Sequence, residues 1–216
     1  MTMNLRSVRS PAFREATTAP AAGSAPSTRP RLSTVAAARG AVVQARIDSP
    51  LGPITLAATG RGLCGLWFDG QQHHPGPIDA PDDPTQRFIA QAIDELDGYW
   101  ASERNGRARA AVAGRRSHLR FGVPLDLIGT PFQRSVWTAL RKIPLGRTVS
   151  YSQVAEASGH AAAVRAVGVA IGRNPLSIIV PCHRVVGRDG SLTGYAGGLE
   201  RKRHLLELEA ASKPAA

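Results

Sequence analysis

The sequence predicts an α+β chain, with a small sheet-and-helix domain first and a mostly helical domain after it. Three observations carry this. Three short apolar runs, punctuated by turn residues, fall before residue 70. One amphipathic stretch follows them. Beyond Gly129, two capping-box signatures open short helices that end at Gly or Pro.

Ala41–Ile47 and Ile54–Ala58 read as strands around the turn Ser49-Pro50-Leu51-Gly52, and Gly62–Phe68 reads as a third. Cys64 lies in that third strand and reads as a buried, inert thiol. His73 and His74 sit in a Pro/Gly-rich loop with too few neighbouring ligands for a metal, so they read as solvated. Thr85–Trp100 reads as a helix, because Phe88, Ile89, Ala92, Ile93, Leu96 and Trp100 recur at helical spacing. Arg104, Arg107, Arg109, Arg115, Arg116 and Arg120 lie among Gly and Ala, as in a mobile basic loop. Residues 123–128 then lead into the second domain.

Thr130-Pro131-Phe132-Gln133 places Thr at the N-cap, Pro at the first helical position and Gln at the third. Phe132, Val136, Leu140 and Ile143 supply the buried stripe, and Pro144 and Gly146 end the helix. Ser150-Tyr151-Ser152-Gln153 is a second capping box, for a helix reaching Ala157. Ser158-Gly159-His160 breaks it, and Ala161–Ile171 forms the next helix. Two short helices around a Gly-containing turn make a helix-turn-helix pattern. The second helix carries Ala162, Ala163, Ala166, Gly168 and Ala170, with Arg165 projecting among them. It reads either as a surface that approaches a duplex closely or as a tightly packed helix with one solvated arginine.

Charge separates function classes. The net charge is +11. Residues 1–40 carry six arginines and one glutamate, residues 41–129 nine basic and ten acidic side chains, and residues 130–216 twelve basic and five acidic. The excess therefore sits on the N-terminal tail and the second half, which points to nucleic acid. No apolar run approaches the roughly 20 residues of a membrane helix. Two cysteines cannot build a disulfide framework, which fits a reducing, cytoplasmic compartment. Residues 1–40 read as a disordered basic tail. A transit peptide, a DNA-contacting arm and the product of an upstream start codon fit it equally.

The chemistry concentrates in Val180-Pro181-Cys182-His183-Arg184-Val185. It follows an apolar run, Leu176–Val180, that reads as a short buried strand. A cysteine leaving such a strand through a proline, with histidine beside it, reads as a nucleophile held on a rigid turn with a base at hand.

The region Gly129–Glu209 resembles the O6-alkylguanine-DNA alkyltransferases, or methylated-DNA–protein-cysteine methyltransferases. The resemblance rests on Gly129-Thr130-Pro131-Phe132-Gln133, Val136-Trp137, Ile143-Pro144, Ser150-Tyr151, Arg165-Ala166-Val167-Gly168 and Asn174-Pro175. It continues through Val180–Val185, Gly194-Tyr195-Ala196-Gly197-Gly198-Leu199, Lys202 and Glu209. It implies a ribonuclease H-like domain over 41–128, a winged helix-turn-helix-like domain with the active cysteine over 129–211, and a tail at 212–216.

It also implies single, irreversible transfer of an alkyl group from O6-alkylguanine, or O4-alkylthymine, in double-stranded DNA to Cys182. Glu209 would orient His183, His183 would take the Cys182 proton through a water, Asn174 would brace the turn, and Tyr151 would protonate the leaving base. Arg165 would fill the space left by the flipped nucleotide. Ala166, Gly168, Tyr151 and Ser152 would meet DNA, and Val185, Tyr195, Ala196, Gly197 and Gly198 would form the pocket. The resemblance implies no metal, no cofactor, no membrane, no obligate protein partner and a monomer. With no cysteine-rich zinc domain ahead of residue 41, a stand-alone repair protein is expected. Two other classes share parts of this pattern: a Cys-His hydrolase, and a non-catalytic sensor of alkylated guanine. The Arg165 helix has no role in the first, and the presence of Cys182 argues against the second.

Overall fold

The computed structural model describes residues 41, 43–104 and 121–211. The expected tails, and nearly all of the basic stretch 104–120, lie outside the described residues.

Strands β1 (Val43–Ile47), β2 (Ile54–Ala58) and β3 (Leu63–Phe68) form an antiparallel meander in the order β1-β2-β3. Helix α1 (Arg87–Arg104) packs across it. The three strands fall where the apolar runs and turn residues place them, β3 starting one residue later, at Leu63. The helix starts two residues later than the sequence suggests, since Gln86 Oε1 accepts the Phe88 and Ile89 N–H groups and so caps the first turn. Phe88, Ile89, Ala92, Leu96, Tyr99 and Trp100 are buried. At about 1.5–3 kcal/mol for each large apolar side chain, this face holds the helix on the sheet.

All six residues of β3 are buried. Leu66 and Phe68 join the main core, while Cys64 and Trp67 form a second cluster with Ala57 and Ile78 on the other face. Burial pushes the Cys64 thiol up to about 12, as its reading as inert requires. The loop histidines depart from expectation. His74 is half-buried, meets the Trp67 ring edge-on at 6.1 Å and accepts the Gly76 N–H through Nδ1, and His73 is half-buried too.

The second half comprises α2 (Pro131–Leu140), β4 (Val149–Ser150), α3 (Tyr151–Ala157), α4 (Val164–Gly172), β5 (Val185–Val186) and α5 (Leu199–Ala211). Both capping boxes form: Thr130 and Ser150 accept from the N3 backbone, and Gln133 and Gln153 reach back to the cap N–H groups. Trp137 Nε1 donates to Ala170 O at 2.9 Å and fixes α4 against α2. Gly129 is needed because a Cβ there would lie 2.6 Å from the Trp137 ring. β4 and β5 pair in parallel beside the helix-turn-helix.

Three segments differ from the sequence reading. Helix α2 ends at Leu140, capped by Arg141, three residues before Ile143. The expected helix 161–171 is a 3-10 turn over Ala161–Ala163 followed by α4, the backbone leaving helical geometry at Ala163 with φ −113° and ψ 36°. Leu176–Val180 is buried but is not a strand. Leu176 alone bridges β3, through Leu66 N–H to Pro175 O and Ser177 N–H to Leu66 O. The chain then leaves that edge through Ile178, whose φ of 69° breaks any ladder. Among the described residues, no helix is long and apolar enough to cross a membrane.

Candidate active site

Pro181 leads into a single 3-10 turn, Cys182–Arg184, packed against α5. The turn is braced from one side by Asn174, 3 % exposed. Its Oδ1 accepts the Leu176 N–H at 3.0 Å. Its Nδ2 donates to Val180 O at 2.8 Å and to Cys182 Sγ at 3.0 Å. One amide thus shapes the loop and points a donor at the sulfur. Asn174→Ala is expected to cost about 2–4 kcal/mol in chemical denaturation, since it leaves the buried Leu176 N–H and Val180 carbonyl without these partners.

The Cys182 thiol, 6 % exposed, is held above its ordinary range by burial. Opposing that are the Asn174 donor, the Lys202 charge and the nearby backbone N–H groups. The resting group is therefore a thiol surrounded by features that favour the thiolate once a base removes the proton.

His183 and Glu209 are fully buried, with Nε2 and Oε1 2.9 Å apart. A carboxylate only accepts, so Nε2 carries the hydrogen and Nδ1 keeps its lone pair. Burial lowers the His183 pKa, helped by Arg184 and Lys202 and opposed by Glu209, so the ring is neutral at neutral pH. Nδ1 has no hydrogen-bond partner among the described residues. This is the state that a proton acceptor requires.

The carboxylate is held by more than histidine. Arg184 donates from Nε to Oε2 and from Nη2 to Oε1, each at 2.8 Å, while its Nη1 donates to Ile143 O. Tyr99 Oη donates to Oε1 at 3.0 Å, and Gly146 N–H to Oε2 at 3.3 Å. Burial pushes Glu209 up, but the His183 and Arg184 hydrogen bonds and charges outweigh it and hold the carboxyl at about 2. Arg184 and Tyr99 are functional neighbours to which the sequence reading assigned no role. Arg184 stood within the motif. Tyr99 lies three residues after Leu96 on the buried stripe, and a buried tyrosine needs a partner for its hydroxyl.

The wall facing the turn is Thr193–Gly198. Lys202, fully buried, donates from Nζ to Val185 O at 2.6 Å and to Thr193 O at 2.5 Å, tying the nucleophile segment to this wall. Desolvation lowers that lysine to about 8, against the opposing pull of Cys182. Val185 N–H is also occupied, by Cys182 O. Gln72 N–H holds Ala196 O at 2.8 Å. Tyr195 stands edge-on to His183 at 6.5 Å, and Gly197 allows it, since a Cβ there would lie 2.6 Å from the Tyr195 ring. Gly198 closes the wall with a φ of 90°.

Tyr151 is half-buried at the start of α3. Its hydroxyl lies 3.4 Å from both Gly194 O and Thr193 Oγ1, so it borders the same wall. Ser152 is exposed beside it. On α4, Arg165 and Ala166 are exposed, and Gly168 lies under the Tyr151 ring. The fold thus brings Asn174 to Cys182, His183 to Glu209, and Tyr151 and Tyr195 to the wall. Arg165 and Ala166 stand apart, on the outer face of the helix-turn-helix.

Comparison with known proteins gives one consistent result. Residues 131–211 match the family model described as 6-O-methylguanine DNA methyltransferase, DNA binding domain, and residues 42–127 match its ribonuclease-like domain. A methylated-DNA–protein-cysteine methyltransferase of Mycobacterium tuberculosis is 46% identical over 169 residues, covering 78% of this chain and 93% of that protein. One from Methanosarcina acetivorans is 42% identical over 165 residues, covering 75% and 94%. A crystal structure of Mycobacterium tuberculosis OGT in complex with DNA superposes with a TM-score of 0.66 at 45% identity, covering 81% of this chain and 96% of that one.

Proposed function

Because this chain belongs to the 6-O-methylguanine DNA methyltransferase family, we propose that it repairs double-stranded DNA by moving the alkyl group of O6-alkylguanine onto Cys182 in one irreversible step. The observation that carries this reading is the buried Glu209 carboxylate 2.9 Å from His183 Nε2, next in sequence to a buried Cys182.

The damaged nucleotide first leaves the stack, because O6 is out of reach inside a duplex. Its base enters between the Cys182 turn and the Tyr195–Gly198 wall, where main-chain groups of Val185 and Ala196 read it. Nδ1 of His183 takes the Cys182 proton through a water, and the Asn174 donor and Lys202 charge support the thiolate. The sulfur then attacks the alkyl carbon. The S–C bond forms as the C–O6 bond breaks, and the electron pair goes to the guanine oxygen. Tyr151 supplies a proton to the base as that charge develops. The product is a thioether. Water opens thioesters readily but has no comparable route to an alkyl thioether, so each chain acts once.

On the outer face, Ser152, Ala166 and Gly168 let α3 and α4 approach the minor groove, and exposed Arg165 occupies the vacated position in the stack. Arg165→Ala should therefore slow repair of duplex substrate by tenfold or more, at about 1.4 kcal/mol per decade, while leaving reaction with free O6-alkylguanine nearly unchanged. Equal losses on both substrates in single-turnover assays would remove the flipping role.

The reading is tested by intact-mass spectrometry after mixing the chain with a duplex containing O6-methylguanine. A gain of one methyl group per protein, mapped to Cys182, is expected. Bound duplex with no gain would make the chain a sensor. Neither binding nor gain would overturn the reading and favour a Cys-His hydrolase.

A further inference from the structure

The catalytic carboxylate is shared between two domains. Glu209 sits on α5 of the second half, yet its Oε1 accepts the phenol of Tyr99 from α1 of the first, 110 residues away in sequence. The same oxygen accepts His183 Nε2 and Arg184 Nη2, while Oε2 takes Arg184 Nε and the Gly146 N–H. Five donors meet about four lone-pair directions, so the carboxylate is saturated and cannot rotate without losing a bond.

Tyr99 is itself fixed. It is fully buried, its ring meets Trp100 edge-on at 5.0 Å and lies 5.7 Å from Phe121. A phenol in this place is not needed for packing, since phenylalanine has the same ring. What the hydroxyl adds is a donor aimed at the atom that orients the histidine.

We propose that Tyr99 is a positioning residue for alkyl transfer: its hydroxyl holds Glu209 Oε1 in line with His183 Nε2 and, by sharing that oxygen's charge, keeps the imidazole from becoming too basic. This rests on the methyl-transfer reading above. It gives the N-terminal domain a part in the chemistry that the motif around Cys182 does not contain.

The sign follows from the groups around the ring. His183 is faced by Glu209 from α5, Arg184 and Cys182 from its own turn, Lys202 from α5 and Tyr195 from the wall. Of these, Glu209 favours the protonated ring, while Arg184 and Lys202 oppose it. Removing the phenol returns undivided charge on Oε1 to His183, which raises its basicity. Neutral imidazole is the proton acceptor, so the acid limb of the rate profile moves to higher pH.

The test measures single-turnover methyl transfer to the full chain from O6-methylguanine duplex across pH, for wild type, Tyr99→Phe, Glu209→Gln and the double variant, with thermal unfolding alongside. Tyr99→Phe is expected to lower the plateau rate about tenfold, the equivalent of one hydrogen bond to a charged group, and to move the acid-limb midpoint upward. On the Glu209→Gln background the rate loss should shrink and the midpoint should stay, since the amide oxygen still accepts the phenol but carries no charge to share. Should Tyr99→Phe not fold, difluorotyrosine at position 99 keeps the ring and strengthens the donor, and the midpoint should move downward. A lowered melting temperature with an unmoved midpoint, or an equal rate loss on both backgrounds, would reduce Tyr99 to a packing residue and overturn the proposal. Wild type that gains no methyl group on Cys182 would overturn the methyl-transfer reading itself, and this proposal with it.

Discussion

A Cys182→Ala protein is expected to gain no methyl mass from O6-methylguanine duplex while binding that duplex as tightly as wild type. The loop should survive the change. Asn174 Nδ2 loses the sulfur but keeps the carbonyls of Val180, at 2.8 Å, and Leu176, at 3.3 Å, so no buried donor is orphaned. Removing one buried sulfur costs about 1 kcal/mol in lost packing, too little to unfold a domain. The loss of transfer should be complete because the other thiol offers no substitute: Cys64 is fully buried in β3, with its pKa pushed up to about 12 and its Sγ–H donating to Ala57 O. Methylation that persists in the variant would refute the assignment of Cys182 as acceptor.

The second large effect is on stability. Glu209→Ala leaves the Arg184 guanidinium, 8 % exposed, without its counter-charge, and a buried charge stripped of its partner costs about 3–5 kcal/mol. The native carboxyl titrates at about 2, below the ordinary value of 4.5. The unfolded chain therefore takes up the proton first as pH falls. The stabilisation is fully present above the unfolded value, and is lost progressively as pH drops through 4.5 towards 2. Urea unfolding at pH 7 and pH 3 should show this loss in wild type, on the order of 2 kcal/mol, and a flatter response in Glu209→Gln. Parallel curves for the two proteins would place the acid sensitivity elsewhere.

Much of this was legible where the controlling interactions are local. The capping boxes at Thr130 and Ser150 mark helix starts because a side chain three residues away satisfies the N–H groups that the turn leaves open. β2 spans Ile54–Ala58 to the residue, between the turns that bound it. The failures share the opposite cause. Leu176–Val180 carries the apolar content of a strand, but its burial comes from tertiary packing rather than a ladder, and Ile178 turns the chain before one can form. Without the family resemblance, Glu209 would read as an exposed carboxylate near a helix end, since nothing near it in sequence announces Arg184, His183 or Tyr99. Tyr99 stands beside Trp100 on α1, but the apolar stripe read from the sequence did not include it, and that periodicity says nothing of what its hydroxyl meets.

The pairing of Leu66 with Leu176 has a consequence for how this chain can be divided. The outer edge of β3 is covered at Leu63 by residues 124–126 of the first half, but at Leu66 only by the second half, through Leu66 N–H to Pro175 O and Ser177 N–H to Leu66 O. A cut at the Gly129 junction would not yield two independent modules. One fragment would uncover the β3 edge at Leu66, within an apolar strand whose exposed edge favours aggregation, and the other would lose the partner that anchors the start of its reactive loop. A fusion that carries the reactive loop is therefore expected to keep both halves together.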